Sequence, residues 1–358
     1  MAAAEIGIRV WDLADPGIRT MPLPGEYQGL FRPDEELFWS LSPNLRLRFQ
    51  GETVVTNAMG FRASQEVGDK LPGEFRILSL GESTTFGPGV ANDRTYSAVL
   101  ERLLQETDDT RSFRVINAGV PAYSSFQSLM YLKRRGLALE PDLVLFYHEL
   151  NDFLPSSLRD SSNNEIGLSS TDRQLFESRQ GQVDRKLLSW SAIYRFLVFR
   201  AARYRIARLQ QDQVQNPLVD IGLPDIGLPP RVVQADRGQD EQRPTLTGLN
   251  EKALPSRVSP EERRQHFDEL ASLCEENGIQ LLLIHPSYAG SKRHECILTE
   301  FCSERQVAML EAYDVLHPDG SGPATMFRDS WHPRLAGHRA LAQALSRKIS
   351  KEFLDRDR

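Results

Sequence analysis

"FRILSLGESTTFGPGV", Phe75 to Val90, is the stretch on which the fold turns. Its first half is a short apolar run of strand length, broken at Gly81 by residues that favour turns. A single hydroxyl, Ser83, stands where the chain must bend. The theme recurs in "FRVINAGV" (Phe113–Val120), "PDLVLFYHEL" (Pro141–Leu150) and "IQLLLIHPS" (Ile279–Ser287), each an apolar run that ends in polar residues. Between them lie segments of helical period. "NDRTYSAVLERLLQET" carries Tyr96, Val99, Leu100, Leu103 and Leu104 on one stripe behind an expected Asp93 cap, and "QSLMYLKRRGLAL" reads as a second helix. "SPEERRQHFDELASLCEENG" reads as a capped amphipathic helix, and "LAGHRALAQALSRKIS" as a terminal one. Strands that alternate with helices imply parallel βαβ units and an α/β fold with an open, doubly wound parallel sheet. In such sheets functional residues gather at the carboxyl ends of the strands, where Ser83, Gly119, Asn151 and Asp152 all fall.

Composition bounds the rest. The 358 residues are 40% apolar, and 43 basic against 49 acidic side chains leave a formal charge of −6. No basic field recruits nucleic acid, so small-molecule or neutral polymer partners are expected. Three cysteines, Cys274, Cys296 and Cys302, lack the paired spacing of a zinc site; they allow at most one bridge. "HEC" at His294–Cys296 with Cys302 is not expected to hold a metal, because residues two apart on a helix do not face one site. No run reaches the length of a membrane span, and the first residues lack a signal peptide's pattern. The sequence as it stands implies the cytoplasm, or an extracytoplasmic site if a leader is missing.

The first 70 residues are rich in turns and read as an N-terminal cap without its own core, with one strand expected in "ETVVTNAMGFRA". Residues 71–153 and 259–358 carry the α/β pattern, and 154–258 interrupt it. The interruption has seven basic residues and no acid from Arg185 to Leu209, with aromatic and aliphatic residues in a stripe. That segment is expected to pack as a helical lid, a membrane-surface helix being the alternative. "DIGLPDIGLPP" (Asp220–Pro230) and "DRGQDEQRP" (Asp236–Pro244) read as linker.

Ser83 taken alone reads as a helix N-cap. "GESTTFGPG" lacks the lysine of a phosphate loop, and Thr85 stands where a G-x-S-x-G elbow needs glycine. What raises Ser83 above a cap is "FRDSWHPRLAGHRAL", in which Asp329 and His332 are three apart ahead of the last helix. At that spacing a carboxylate can accept from one imidazole nitrogen while the other faces outward as a base, the arrangement that activates a serine.

Together these pieces resemble the SGNH (GDSL-type) hydrolase superfamily, whose four short motifs occur in this order along a flavodoxin-like sheet. The resemblance covers about residues 55–350. "GES" (Gly81–Ser83) stands for G-D-S with Glu82 in place of aspartate, and implies Ser83 as nucleophile. "INAGVPAYSSFQ" implies an oxyanion donor at the Gly119 N–H. "FYHELND" matches G-x-N-D only in Asn151 and Asp152, since Glu149 replaces the glycine; it implies Asn151 as a third donor beside the Ser83 N–H. "DSWHP" implies His332 as base and Asp329 as its orienter. "TNAMGFR" and "SAIYRFL" are similar to the N-terminal segment and lid of one subgroup. Asp152 is expected to hold a loop through backbone hydrogen bonds. His148 and Glu149 are candidates for the substrate pocket, with scaffold as the alternative reading. His285 and His317 are expected in turns, and His338 solvated on the last helix. The resemblance implies a serine esterase acting on a small-molecule or carbohydrate ester without cofactor or metal. Its rivals are an O-acyltransferase acting on a sugar and a non-catalytic binding protein on the same scaffold.

Overall fold

A computed structural model describes residues 29–34, 36–154, 157–159, 165–167, 170–183, 256–290, 297–318 and 325–354. The helical stretch expected from Arg185 to Leu209, both linker segments, His294 and Cys296 lie outside them. The chain opens with two antiparallel hairpins, β1 (Phe31–Asp34) with β2 (Phe38–Leu41) and β3 (Arg46–Phe49) with β4 (Glu52–Val55). There follow β5 (Glu74–Gly81), the one-turn helix α1 (Ser83–Phe86), α2 (Tyr96–Thr107), β6 (Ser112–Gly119), α3 (Ser125–Tyr131), β7 (Leu143–Tyr147) and α4 (Leu150–Phe153). A two-stranded pair, β8 (Ser157–Arg159) and β9 (Glu165–Gly167), precedes α5 (Asp172–Val183). The last third supplies α6 (Pro260–Glu276), β10 (Gln280–His285), α7 (Ile297–Arg305), β11 (Ala308–Glu311), α8 (Ala312–Leu316) and α9 (Leu335–Ile349).

Five strands form one parallel sheet in the spatial order β11-β10-β7-β5-β6. In the sheet's own sequence this is 2-1-3-4-5, the doubly wound order whose switch point lies beside its first strand. The apolar runs were legible as strands because both faces are covered. Ile77, Leu143, Leu145, Leu282 and Ile284 pack against α2 and α9 through Leu100, Leu104, Leu341 and Leu345. The alternate residues Leu78, Leu80, Val144, Phe146 and Leu283 face α3, α6 and α7 through Leu129, Phe267, Leu270 and Phe301. Cys274 and Cys302 are buried in that second cluster. The hairpins have no separate core. Leu37, Trp39, Leu41, Phe49 and Val54 join Phe86, Tyr123, Phe126, Phe176 and Val258 in a third cluster over the carboxyl edge of the sheet.

Two helix starts bear on the sequence reading. Ser259 and Glu262 form the expected reciprocal box, in which the Ser259 Oγ accepts from the Glu262 N–H and Glu262 accepts from the Ser259 N–H. The cap of α2 is not Asp93, which lies in the short turn Asn92–Arg94, but Thr95, whose Oγ1 accepts from the Ala98 N–H at 3.3 Å. Three residues of 3-10 turn take Asp93 out of reach of the helix amides. Thr95→Ala is expected to cost about 1 kcal/mol in urea unfolding, and Asp93→Ala close to nothing. Among the described residues no helix is long and apolar enough to cross a membrane.

Candidate active site

Strand β5 ends at Gly81 because nothing larger fits. A Cβ there would lie 2.0 Å from Thr85 Oγ1, since α1 folds straight back over the strand end. Gly119, paired with Gly81 across β5 and β6, meets the same helix; its Cβ would fall 2.4 Å from the Phe86 N. Within Gly81–Phe86 every residue is buried except Ser83, which is half-buried. Glu82, not Ser83, holds the N-cap position of α1, and it makes no side-chain cap bond. The Ser83 hydroxyl is therefore not consumed by capping.

It meets an imidazole. His332 Nε2 lies 2.9 Å from Ser83 Oγ, across 249 residues of sequence. His332 Nδ1 lies 3.0 and 2.9 Å from the two carboxylate oxygens of Asp329, whose Oδ1 also accepts from the Trp331 and His332 amides at 2.9 and 2.8 Å. That Asx-type turn fixes the carboxylate against its own histidine. With Nδ1–H donating to Asp329, the Nε2 lone pair faces the serine O–H. Burial pushes the Asp329 carboxyl up, but the His332 hydrogen bond and charge and the two amides outweigh it and hold it below the ordinary 3.8. The loop is held by Arg328 N–H to His332 O (2.9 Å), by Arg334 N–H to Met326 O (2.8 Å) and by Trp331 edge-on against Tyr288 at 5.8 Å.

Four serine–histidine hydrogen bonds occur among the described residues, and three of them have none of this character. Ser125 with His266 (3.0 Å), Ser128 with His148 (2.8 Å) and Ser287 with His317 (3.0 Å) are all buried, and no carboxylate pairs the second ring nitrogen. Burial pushes His148 and His266 down to about 3 and lowers His317 as well. Only His332 pairs with a carboxylate while its side chain keeps 18% exposure.

The other expected donors are arranged differently from the sequence reading. The Gly119 N–H is taken by Asn117 Oδ1 at 3.0 Å. The Asn151 amide nitrogen donates to Glu82 Oε2 and to the Tyr123 carbonyl at 3.0 Å. Buried donors pair with the nearest acceptor because leaving one unpaired costs about 1–3 kcal/mol. Among the amides at this edge with no acceptor among the described residues are those of Ser83 and Ala122. Ala122 was missed in sequence. Pro121 and Ala122 are the central pair of a turn closed by Tyr123 N–H to Val120 O at 3.1 Å, and Ala122 has φ +64°. This is type II geometry with alanine where glycine is favoured, and such strain gathers at functional sites. The proline before a small residue was the available signal. The turn is gripped from several sides: Trp39 Nε1 donates to Pro121 O (3.3 Å), Tyr123 O–H to Trp39 O (2.6 Å), and Arg257 to Ala122 O (2.6 Å).

The remaining candidates resolve as scaffold. His148 and Glu149 are buried beneath the edge rather than lining an open surface; Arg263 reaches Glu149 at 3.6 Å and donates to the His148 carbonyl. Asp152 accepts from the Ser125 N–H at 2.7 Å, as its loop-holding role required. His285 is the last residue of β10, bonded to Glu311 at 2.7 Å, and not a turn residue. His338 is not solvated. It is fully buried, with Nδ1 accepting from the Tyr96 N–H at 3.2 Å and its ring stacked on Tyr96. The cause is register, since His338 shares the inward stripe of α9 with Leu341, Ala342 and Leu345.

A 2-1-3-4-5 parallel sheet that sets Ser83, Asn151 and the Asp329–His332 loop at one carboxyl edge decides the architecture. This is a flavodoxin-like, doubly wound α/β fold. No protein-family model matches the chain, and neither does any curated protein. Solved structures similar to it include an α/β hydrolase from the metagenome of Lake Arreo, Spain, 17% identical over 76% of this chain and 93% of that one, with a TM-score of 0.41. An acetylxylan esterase from Geobacillus stearothermophilus is 15% identical over 80% and 98%, with a TM-score of 0.42. The strand order, not these likenesses, carries the assignment of the doubly wound fold.

Proposed function

We propose that the chain is a serine esterase in which Ser83 is the nucleophile, His332 the general base and Asp329 the residue that orients the imidazole. The observation that carries this reading is the Ser83–His332–Asp329 array, continuous at 2.9 Å and 2.9 Å and open to solvent at the histidine. As Oγ attacks the ester carbonyl, its proton passes to Nε2, and Asp329 stabilises the imidazolium that forms. The proton then goes to the departing alkoxide as the C–O bond breaks, leaving an acyl-serine. Water, deprotonated by the same nitrogen, resolves it. The oxyanion needs preorganised donors, each worth about 2.7–4 kcal/mol of barrier. We assign the Ser83 and Ala122 amides to it, neither of which has an acceptor among the described residues. These steps need no metal or cofactor.

The substrate class implied by the family resemblance is a small-molecule or carbohydrate ester. Labelling with a fluorophosphonate probe, followed by peptide mass mapping, is expected to place the adduct on Ser83. Incubation with an aryl acetate and with an acetylated oligosaccharide is expected to release free acetate whether or not a sugar acceptor is present. Acetyl transfer to the acceptor would replace hydrolysis by acyltransfer, and an unlabelled Ser83 would leave only a binding protein on this scaffold.

A further inference from the structure

The one departure from the G-D-S pattern, Glu82, is a buried carboxyl at 2% exposure directly before the serine. Its Oε2 accepts from Asn151 Nδ2, and the second hydrogen of that amide goes to the Tyr123 carbonyl at 3.0 Å. A primary amide has two N–H bonds, so Asn151 as placed has none left for a third acceptor. Asn151 thus bridges the residue before Ser83 and the turn after β6, in a position to serve an oxyanion only when one of the two bonds opens.

What holds it depends on the charge of Glu82. Around that carboxyl stand Glu149 and Asp152 of the α4 turn, Tyr147 of β7, Tyr288 after β10, and Arg257 ahead of α6. Arg263 of α6 is committed to the other two carboxyls, at 3.6 Å from Glu149 and 3.3 Å from Asp152. Burial, together with the charges of Asp152 and Glu149, pushes Glu82 up to about 8 against the opposing pull of Asn151 and Arg257. A neutral carboxyl is an ordinary acceptor, whereas a carboxylate in the same place binds an amide roughly twice as strongly.

We propose that Glu82 is a positioning residue acting through Asn151: its protonated carboxyl lets the amide turn to the oxygen of an acyl intermediate at Ser83, and its carboxylate holds the amide back. This rests on the reading of Ser83 as nucleophile. The test is the second-order rate of fluorophosphonate labelling of Ser83 from about pH 6 to about pH 10, on the full chain, with thermal unfolding recorded at each pH. The wild-type rate is expected to reach a plateau and then fall about tenfold per pH unit beyond the ionisation of Glu82. Glu82→Gln keeps a neutral acceptor and cannot ionise, so the fall disappears. Asn151→Ala keeps the ionisation and removes its target; labelling is slower at neutral pH, and again there is no alkaline fall. A fall retained in either variant overturns the proposal, as does a wild type that labels equally well across the range. A wild-type Ser83 that takes no label at any pH is a different result, because it removes the nucleophile reading itself and the proposal with it.

Discussion

Ser83→Ala and His332→Ala are each expected to lower kcat/KM for a short-chain aryl ester by roughly 10⁶-fold, about 8 kcal/mol of transition-state stabilisation. The size follows from the chain of dependence. Without the hydroxyl no acyl-enzyme forms, and without Nε2 at 2.9 Å the hydroxyl keeps its proton and remains a poor nucleophile. Because either loss disables the same step, the double variant should be little worse than either single one. Asp329→Asn removes the charge that stabilises the imidazolium and is expected to cost about 10⁴-fold. Unfolding temperatures should stay where they are, since Ser83 and His332 are both partly exposed. Initial-rate kinetics alongside a thermal melt decide it; a tenth of normal activity left in Ser83→Ala or His332→Ala would remove the assigned roles.

The second large effect concerns stability. Arg263 is fully buried, and its guanidinium faces Glu149 at 3.6 Å and Asp152 at 3.3 Å and lies over the Phe153 and Phe267 rings. Arg263→Met fills similar volume but leaves the two carboxyls without their cation. Breaking a buried pair this way costs about 3–5 kcal/mol, a large share of a typical domain's 5–15. The loss should depend on pH with a definite sign. Burial holds Asp152 above its ordinary 3.8, and Arg263 is the largest influence pulling it back. A carboxyl raised in the fold contributes stability that is present below its unfolded value and lost as pH rises. Removing Arg263 raises it further, so the deficit should be greatest near neutrality and smaller near pH 4. Urea unfolding at both pH values measures this, and a deficit independent of pH would argue for a packing defect instead.

What could be read from the sequence, and what could not, divides along burial and distance. "FRILSL", "LVLFY" and "LLLI" announced central strands because both faces of each are covered by helices. Strand β11, "AMLE", gave no such signal, since it is a four-residue edge strand buried only halfway. The β1–β2 hairpin was hidden by its brevity and by Pro33 within it. Asp329 and His332 were legible because their geometry is local, set by a three-residue turn. The Asn151 and Gly119 amides were not, because their acceptors, Glu82 and Asn117, are chosen by packing that no motif encodes. His338 is readable from its stripe with Leu341 and Leu345, where helical register rather than residue type sets burial.

The type II turn at Pro121–Ala122 carries a consequence for how this molecule comes together. Trp39 reaches it from 82 residues upstream and Arg257 from 135 downstream, while the Ser83–His332 pair closes a loop of 249. Contacts this far apart in the chain bear a large closure entropy, and the sheet and its helices share it: β7 pairs with β10 across the long interruption, and the Tyr96 N–H reaches His338 across 242 residues. The edge that carries Ser83 and His332 thus takes its shape only when distant parts of the chain have met, and denaturation that parts them should undo it together with the sheet.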